Sequence, residues 1–326
     1  MTIAWARHIL KLLISSLLLI LAVVTVMFML LEIAPGDPLQ ALVGEVPIPD
    51  AFRAQMIEAY GLDRSLPERY LSYLGNILTG NLGYSFANRV PVIDLILGRL
   101  GNTLILTVPS LVISSIGGII LGAMAARTRS RFADGSISFL AVVGFSIPSF
   151  WLALMLILMF SVILPIFPAQ GMTDFGSTGF SWRHLVLPLT SLLVAELAFK
   201  ARIMRSSMIE VLGQDYIDTA RSKGLSSFQI LRHHGLLNSM LPMVSVIGYS
   251  AGFTLAGAVL VEKVFGWPGM GLLLYDSIHR GENMVVMGIL LILTVTIVVV
   301  NILTDVVYGL VDPRIRARYQ MSREAN

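Results

Sequence analysis

The pattern Gly248-Tyr249-Ser250-Ala251-Gly252 is the first candidate for chemistry in this chain. In hydrolases a G-x-S-x-G sequence is a nucleophile elbow, in which a sharp strand-to-helix turn exposes a serine to a histidine base. Here the motif sits inside an apolar, helix-like stretch. The last apolar stretch supplies no histidine, and His279 lies outside it. An intramembrane serine protease is the sharp reading. The plainer one is that Gly248 and Gly252 form a small-xxx-small face for close helix contact, as Gly118 and Gly122 would in an earlier stretch.

Other chemistries are narrowed by residue type. Cysteine is absent, which excludes disulfides, thiolate metal sites and thiol nucleophiles. The four lysines are Lys11, Lys200, Lys223 and Lys263; none follows a glycine, so the chain has no phosphate-cradling G-x-x-x-x-G-K-[ST] loop. His233 and His234 are adjacent and do not share a helix face, which is poor geometry for holding one ion. The 16 methionines read as core filler. Glu196 and Lys200 stand i, i+4 in a favourable order. An ionisable residue in a membrane span suggests function; here pairing or snorkelling is the stronger explanation, because both residues lie near the cytoplasmic end of the span.

Any such groups must be positioned by elements that suit lipid. Of 326 residues, 56% are hydrophobic and 13% charged, about half the charge of a soluble domain, and the mean hydropathy is +0.80. A soluble globular protein and a disordered chain are both excluded. Charge-free stretches at Leu12–Leu31, Leu100–Ala126, Gly135–Thr173, His233–Val261 and Asn283–Thr304 each reach the length of about 20 residues that crosses a bilayer. Leu164-Pro165-Ile166-Phe167-Pro168 breaks the third, and Pro242 marks where the membrane part of the fourth begins. Trp182–Ala201 is a weaker span carrying Glu196 and Lys200. The first span is too long for a signal-peptide core and no small-x-small site follows it, so it reads as a retained helix.

The expectation is an all-α polytopic membrane protein with six transmembrane helices, which puts both termini on one side. The N-terminus, 127–136, 200–242 and the C-terminal tail hold 15 of the 23 Lys and Arg, while the opposite set holds 8 basic against 12 acidic residues. The basic side is cytoplasmic. Segments 32–99, 164–183 and 262–284 then face outward. The first is long enough to fold as a small helical cap, with amphipathic stretches such as Phe52–Tyr60. The cytoplasmic segment 200–242 reads as helix, short helix, turn, helix. Asp215 is positioned to cap a helix through Ser222, Gly224 to end it, and Ser226-Ser227-Phe228-Gln229 has the form of a capping box. Apolar Ile217, Ala220, Leu225, Ile230 and Leu231 beside Arg221, Lys223 and Arg232 suit either a docking surface or a basic loop beside anionic lipid. The division expected along the chain is 1–99, 100–312 and a basic tail at 313–326.

Residues 216–225, Tyr-Ile-Asp-Thr-Ala-Arg-Ser-Lys-Gly-Leu, followed by Asn238-Ser239-Met240-Leu241-Pro242, resemble the EAA loop of bacterial ABC importer permeases. Ala220, Gly224 and Leu241-Pro242 fit that pattern; Asp218 and Thr219 replace the residues that name it, as is common in the peptide-permease branch. Ala34-Pro35-Gly36-Asp37-Pro38, Tyr60-Gly61-Leu62-Asp63, Gly80-Asn81-Leu82-Gly83-Tyr84-Ser85, Phe145-Ser146-Ile147-Pro148-Ser149-Phe150, the run Glu262–Gly271 and Asp312-Pro313-Arg314 follow in order. Across almost its whole length the chain is similar to B-type permeases of dipeptide, oligopeptide and nickel importers.

The resemblance implies a permease half-channel in the bacterial inner membrane, with no catalytic site, cofactor or metal of its own. It implies a second, C-type permease, two ATP-binding subunits, an extracytoplasmic substrate-binding protein and surrounding lipid as partners, and no nucleic acid. The missing phosphate loop agrees with ATP hydrolysis on separate subunits. Asp218, Thr219, Ala220, Arg221, Gly224 and Leu225 are then the expected ATPase contact, a coupling helix between spans four and five. Ser250, Gly252 and Thr254 are candidates for the translocation path, and helix packing explains them equally well. Peptide is the expected cargo; nickel chelates or another small solute, and more remotely a secondary transporter, are the alternatives.

Overall fold

A computed structural model describes residues 3–33, 64–128, 131–177 and 179–311. The motifs at 34–38 and 60–63, the stretch Phe52–Tyr60 and the tail from Asp312 lie outside them. Among the described residues the regular elements are helices apart from one antiparallel ribbon, in which Tyr84 pairs with Pro91 and Ser85 with Val90. Five helices are long and apolar enough to cross a membrane, or six if one bent pair is a single span. This is the all-α polytopic architecture expected from the sequence.

Helix α1, Ile3–Ile33, contains neither proline nor glycine and runs 31 residues unbroken. Its Ser15 and Thr25 hydroxyls donate to the backbone carbonyls of Leu12 and Leu21, so they need no water inside an apolar helix. Helix α2, Leu66–Leu78, opens with a Ser65/Glu68 capping box. The Ser65 hydroxyl and backbone N–H both donate to the Glu68 carboxylate and hold it below its ordinary range. Tyr70 and Tyr73 of α2 pack on Phe28 of α1, and Arg69 pairs with Glu32 at 2.7 Å. Burial pushes the Tyr73 phenol up to about 12.

After the ribbon (β1, Tyr84–Ser85; β2, Val90–Pro91), helix α3 runs Val92–Arg127. It begins eight residues before the expected Leu100, because a charge-free window stops at Arg99 and Asp94 whereas the backbone ladder does not. The third apolar stretch is broken earlier than expected. Helix α4, Arg131–Ser146, and helix α5, Ser149–Ile157, meet at a 92° bend. Pro148 takes the N-cap position of α5 with extended backbone angles; its ring forces Ile147 out of the helical region, and it has no N–H to offer the preceding turn. A π turn at Leu158–Ile163 then closes the element just before the expected proline break.

Helix α6, Trp182–Leu212, is followed by the short helix α7, Asp215–Ser222. Helix α8, Ser227–Ile230, passes through a π turn at Leu231–Leu236 into α9, Leu237–Phe265. Gly266, with φ 57°, ends α9 as the Trp267 N–H returns to the Glu262 carbonyl at 2.9 Å. Helices α10, Met270–His279, and α11, Asn283–Val311, are the last described elements.

Two compact units are distinguished. One comprises 8–103 and 268–298; the other comprises 104–267 with 1–7 and 299–326. The first is centred on Val92, Ile96, Met270, Leu273, Val285 and Ile289. In it the Ser85 hydroxyl donates to buried Glu282 at 2.6 Å, and Asn88 Nδ2 donates back to Ser85 Oγ at 2.9 Å. The second is centred on Leu106, Leu187, Ala258, Val261, Phe265 and Trp267. There α3 lies directly on α6 through glycines: a Cβ at Gly118 would come within 2.6 Å of Lys200 Cβ, and one at Gly122 within 2.6 Å of Met204 Cβ. Gly248 is pressed against the Thr304 side chain in the same way. Gly118 and Gly122 form the small-residue face expected from the sequence, and of the pair Gly248 and Gly252 the close approach is at Gly248.

Candidate functional site

The segment 213–230 is built by local rules. Helix α6 stops at Gly213, and Gln214, rather than the expected Asp215, takes the N-cap of α7. Asp215 and Asp218 occupy the first turn and Arg221 the last, an arrangement that suits the helix dipole. Gly224 has φ 82°. Its N–H bonds the Arg221 carbonyl at 2.9 Å and the Leu225 N–H bonds that of Ala220 at 3.3 Å, the two bonds of a Schellman closure. Ser226 and Gln229 form the expected capping box: the Gln229 N–H donates to Ser226 Oγ at 3.4 Å, and the Ser226 N–H to Gln229 Oε1 at 2.9 Å.

This closure sorts the six coupling candidates into two groups. Ala220 is buried with Ile217 and Ile230, and Leu225 packs beside them with Leu212. Asp218, Thr219, Arg221 and Gly224 are exposed, and Asp218 pairs with Arg221 at 2.8 Å. The apolar residues therefore pack together against Leu212 of α6, and Asp218, Thr219, Arg221 and Gly224 form the exposed face. Ser226→Ala removes one cap at a cost of about 1 kcal/mol. Amide exchange over 226–230 should accelerate about fivefold, read by hydrogen–deuterium exchange.

A second site lies in the same unit. Parts of α4, α5, α6 and α9 border an open cavity of about 350 Å³, lined among others by Phe145, Pro148, Glu196, Tyr249, Ser250, Phe253 and Thr254. Ser250 and Thr254 are one helical turn apart and share a face, and the Thr254 hydroxyl donates to the Ser250 carbonyl at 2.8 Å. Gly252, two residues from Ser250, is not part of this lining. Glu196 belongs to the lining, which sequence spacing had not indicated. Its Oε2 lies 2.9 Å from Lys200 Nζ, and that ammonium also donates to Ser114 of α3 at 2.7 Å. Lys200 is completely buried and its ammonium lies beside Glu196, so of the two expected explanations pairing holds and snorkelling does not.

The hydrolase reading fails on local geometry. Gly248–Gly252 lies wholly within helix α9, with no strand–turn–helix to strain and expose Ser250. His233 Nδ1 lies 3.2 Å from the Gln229 carbonyl and His234 sits against the Tyr216 ring. Among the described residues no group of three His, Cys, Asp or Glu is placed to hold a metal ion.

Comparisons with known proteins agree on one family. The model for the binding-protein-dependent transport system inner membrane component matches residues 118–317, and the model for its N-terminal region matches 5–107. The chain is 37% identical to the oligopeptide transport system permease protein AppB of Bacillus subtilis, over 95% of this chain and 99% of that protein. It is 38% identical to the dipeptide transport system permease protein DppB of Escherichia coli, over 89% of this chain and 92% of that protein. Its fold resembles a chain of the inward-facing MetNI methionine ABC transporter, with a TM-score of 0.55 at 20% identity, covering 68% of this chain and 97% of that one. On the family models and these relatives, the chain belongs to the binding-protein-dependent transport inner membrane components, the permease subunits of ABC importers, and is a transport subunit.

Proposed function

We propose that this chain is the B-type permease of a peptide importer. In this reading it forms a translocation path with a distinct C-type permease, two ATP-binding subunits dock on its cytoplasmic side, and a substrate-binding protein delivers cargo from outside. Both termini and the 213–230 hairpin are cytoplasmic, in keeping with the distribution of basic residues. Peptide cargo is supported by the named transport of the AppB and DppB relatives.

The observation that carries the reading is the hairpin itself. Its apolar residues close on one another, so its exposed face of Asp218, Thr219, Arg221 and Gly224 is held rigidly without burying anything further of its own. A rigid polar projection between two long helices transmits a displacement of its partner to those helices, which is what exchange between two packed states requires. Ser250 and Thr254, at the wall of the cavity, are the path residues in this reading.

The absence of cysteine makes the path directly testable. Ser250→Cys changes one atom and creates a single thiol. In a complex whose other subunits are cysteine-free, labelling that thiol with a methanethiosulfonate should cut tri-alanine uptake into proteoliposomes about tenfold, since a path must stay open to release its cargo. Unchanged uptake after complete labelling removes Ser250 from the path.

A further inference from the structure

We infer that the cavity holds an organic ammonium group, the free amino terminus of a passing peptide, between the Glu196 carboxylate and the faces of Tyr249 and Phe253; this rests on the cavity being the path. Three observations converge. Glu196 is the one acidic group of the lining, and it keeps 13% of its side chain exposed although it stands in a membrane span. Its counter-charge, Lys200, is fully buried and turned toward Ser114. The lysine thus compensates the carboxylate from behind through Oε2 without filling the cavity. A carboxylate accepts about four hydrogen bonds, so the pair leaves acceptor capacity on the cavity side.

The aromatic lining sorts itself too. Phe145 is stacked on Phe199 at 5.5 Å and covered by the Arg202 guanidinium, also at 5.5 Å. Tyr249 and Phe253, 5.8 Å apart, also line the cavity and are 64% and 62% exposed. A carboxylate and two aromatic rings lining one cavity are the chemistry that receives an ammonium. It suits a path, because every unblocked peptide carries this group whatever its side chains. A carboxylate that served only to neutralise Lys200 would have no need to line a cavity.

The test uses the assembled transporter carrying Ser250→Cys, in a cysteine-free background, and compares thiol modification by 2-aminoethyl and by uncharged methyl methanethiosulfonate, each normalised to a free thiol in solution. The cation should be favoured about tenfold. The preference should vanish when Glu196→Gln and Lys200→Met are added together, a neutral pair that leaves no buried charge unmatched. The double replacement with Ser250 intact should slow tri-alanine uptake about tenfold while binding-protein-stimulated ATPase activity is retained. A normalised preference near unity with Glu196 present, a preference that survives its removal, or undiminished uptake by the double variant each overturns the inference. The path reading fails separately, by full transport after complete labelling of Ser250→Cys.

Discussion

Gly224→Val should abolish substrate-driven stimulation of ATPase activity while the chain remains inserted and assembled. Gly224 sits at φ 82° with nothing within 4 Å of a would-be Cβ. The space is open, so a side chain there meets no neighbour; the cost lies in the backbone alone. A residue in the left-handed region costs about 1–2 kcal/mol without glycine, and a β-branched residue suffers most. The whole apolar closure of α7 rests on this one turn: the Leu225 N–H reaches the Ala220 carbonyl only because Gly224 reverses the chain. Losing the turn frees Leu225 from Ile217 and Ile230 and lets the polar face reorient. The series should be graded, with Gly224→Asn near wild type, Gly224→Ala intermediate and Gly224→Val reduced to basal turnover. ATPase activity in proteoliposomes with binding protein and tri-alanine reads it, against membrane abundance as control. Full stimulation in the valine variant would remove the hairpin from the coupling path.

The hairpin was legible in the sequence because each of its signals is local. Gly224 terminates a helix two residues beyond its end, and Ser226 meets Gln229 three residues on; these interactions are complete within a window a reader can scan. Spans were legible for a different reason: lipid tolerates no unpaired charge, so Leu12–Leu31 announces itself. The same rule misplaced the start of α3, since a helix continues past the apolar layer through Asp94 and Arg99. What stayed hidden was long-range. Lys200 meets Ser114 across 86 residues and Ser85 meets Glu282 across 197, and no periodicity records such pairs. Ala220 and Leu225 fitted the loop pattern as contact residues, yet which side of α7 faces inward depends on Ile230 and Leu212 beyond it. The cavity draws on segments around 145–149, 192–199 and 249–257, so Glu196 entered it only through folding. Pro148 was visible, but a proline in an apolar run permits a mild kink as well as the 92° bend that forms.

Gly122→Leu should destroy the packing of α3 on α6, whereas Gly101→Leu, in the same helix, should not. Both glycines lie within Val92–Arg127, so helix propensity treats them alike. Their surroundings differ. A Cβ at Gly122 would meet Met204 Cβ at 2.6 Å and the Arg205 backbone nitrogen at 3.0 Å, while one at Gly101 meets nothing within 4 Å. Backbone and Cβ atoms cannot rotate away as a side-chain tip can, so relief requires the two helices to separate. Overpacking costs about 1–3 kcal/mol where neighbours can adjust, and here they cannot. Separation would also pull Lys200 from Ser114, since Gly118, one turn earlier, seats that lysine; losing a hydrogen bond to a charged group costs about 1.5–3 kcal/mol more, while Glu196, on the same helix, stays beside the ammonium. Against a net stability of about 5–15 kcal/mol, the sum removes a large part of the margin. Gly122→Leu should therefore leave little monodisperse protein after detergent extraction, and Gly101→Leu about as much as wild type. Size-exclusion profiles and thermal inactivation of the extracted complex decide it. Equal recovery of the two variants would mean that the α3–α6 seam is looser than its glycines imply, and that Lys200 is held by Glu196 alone.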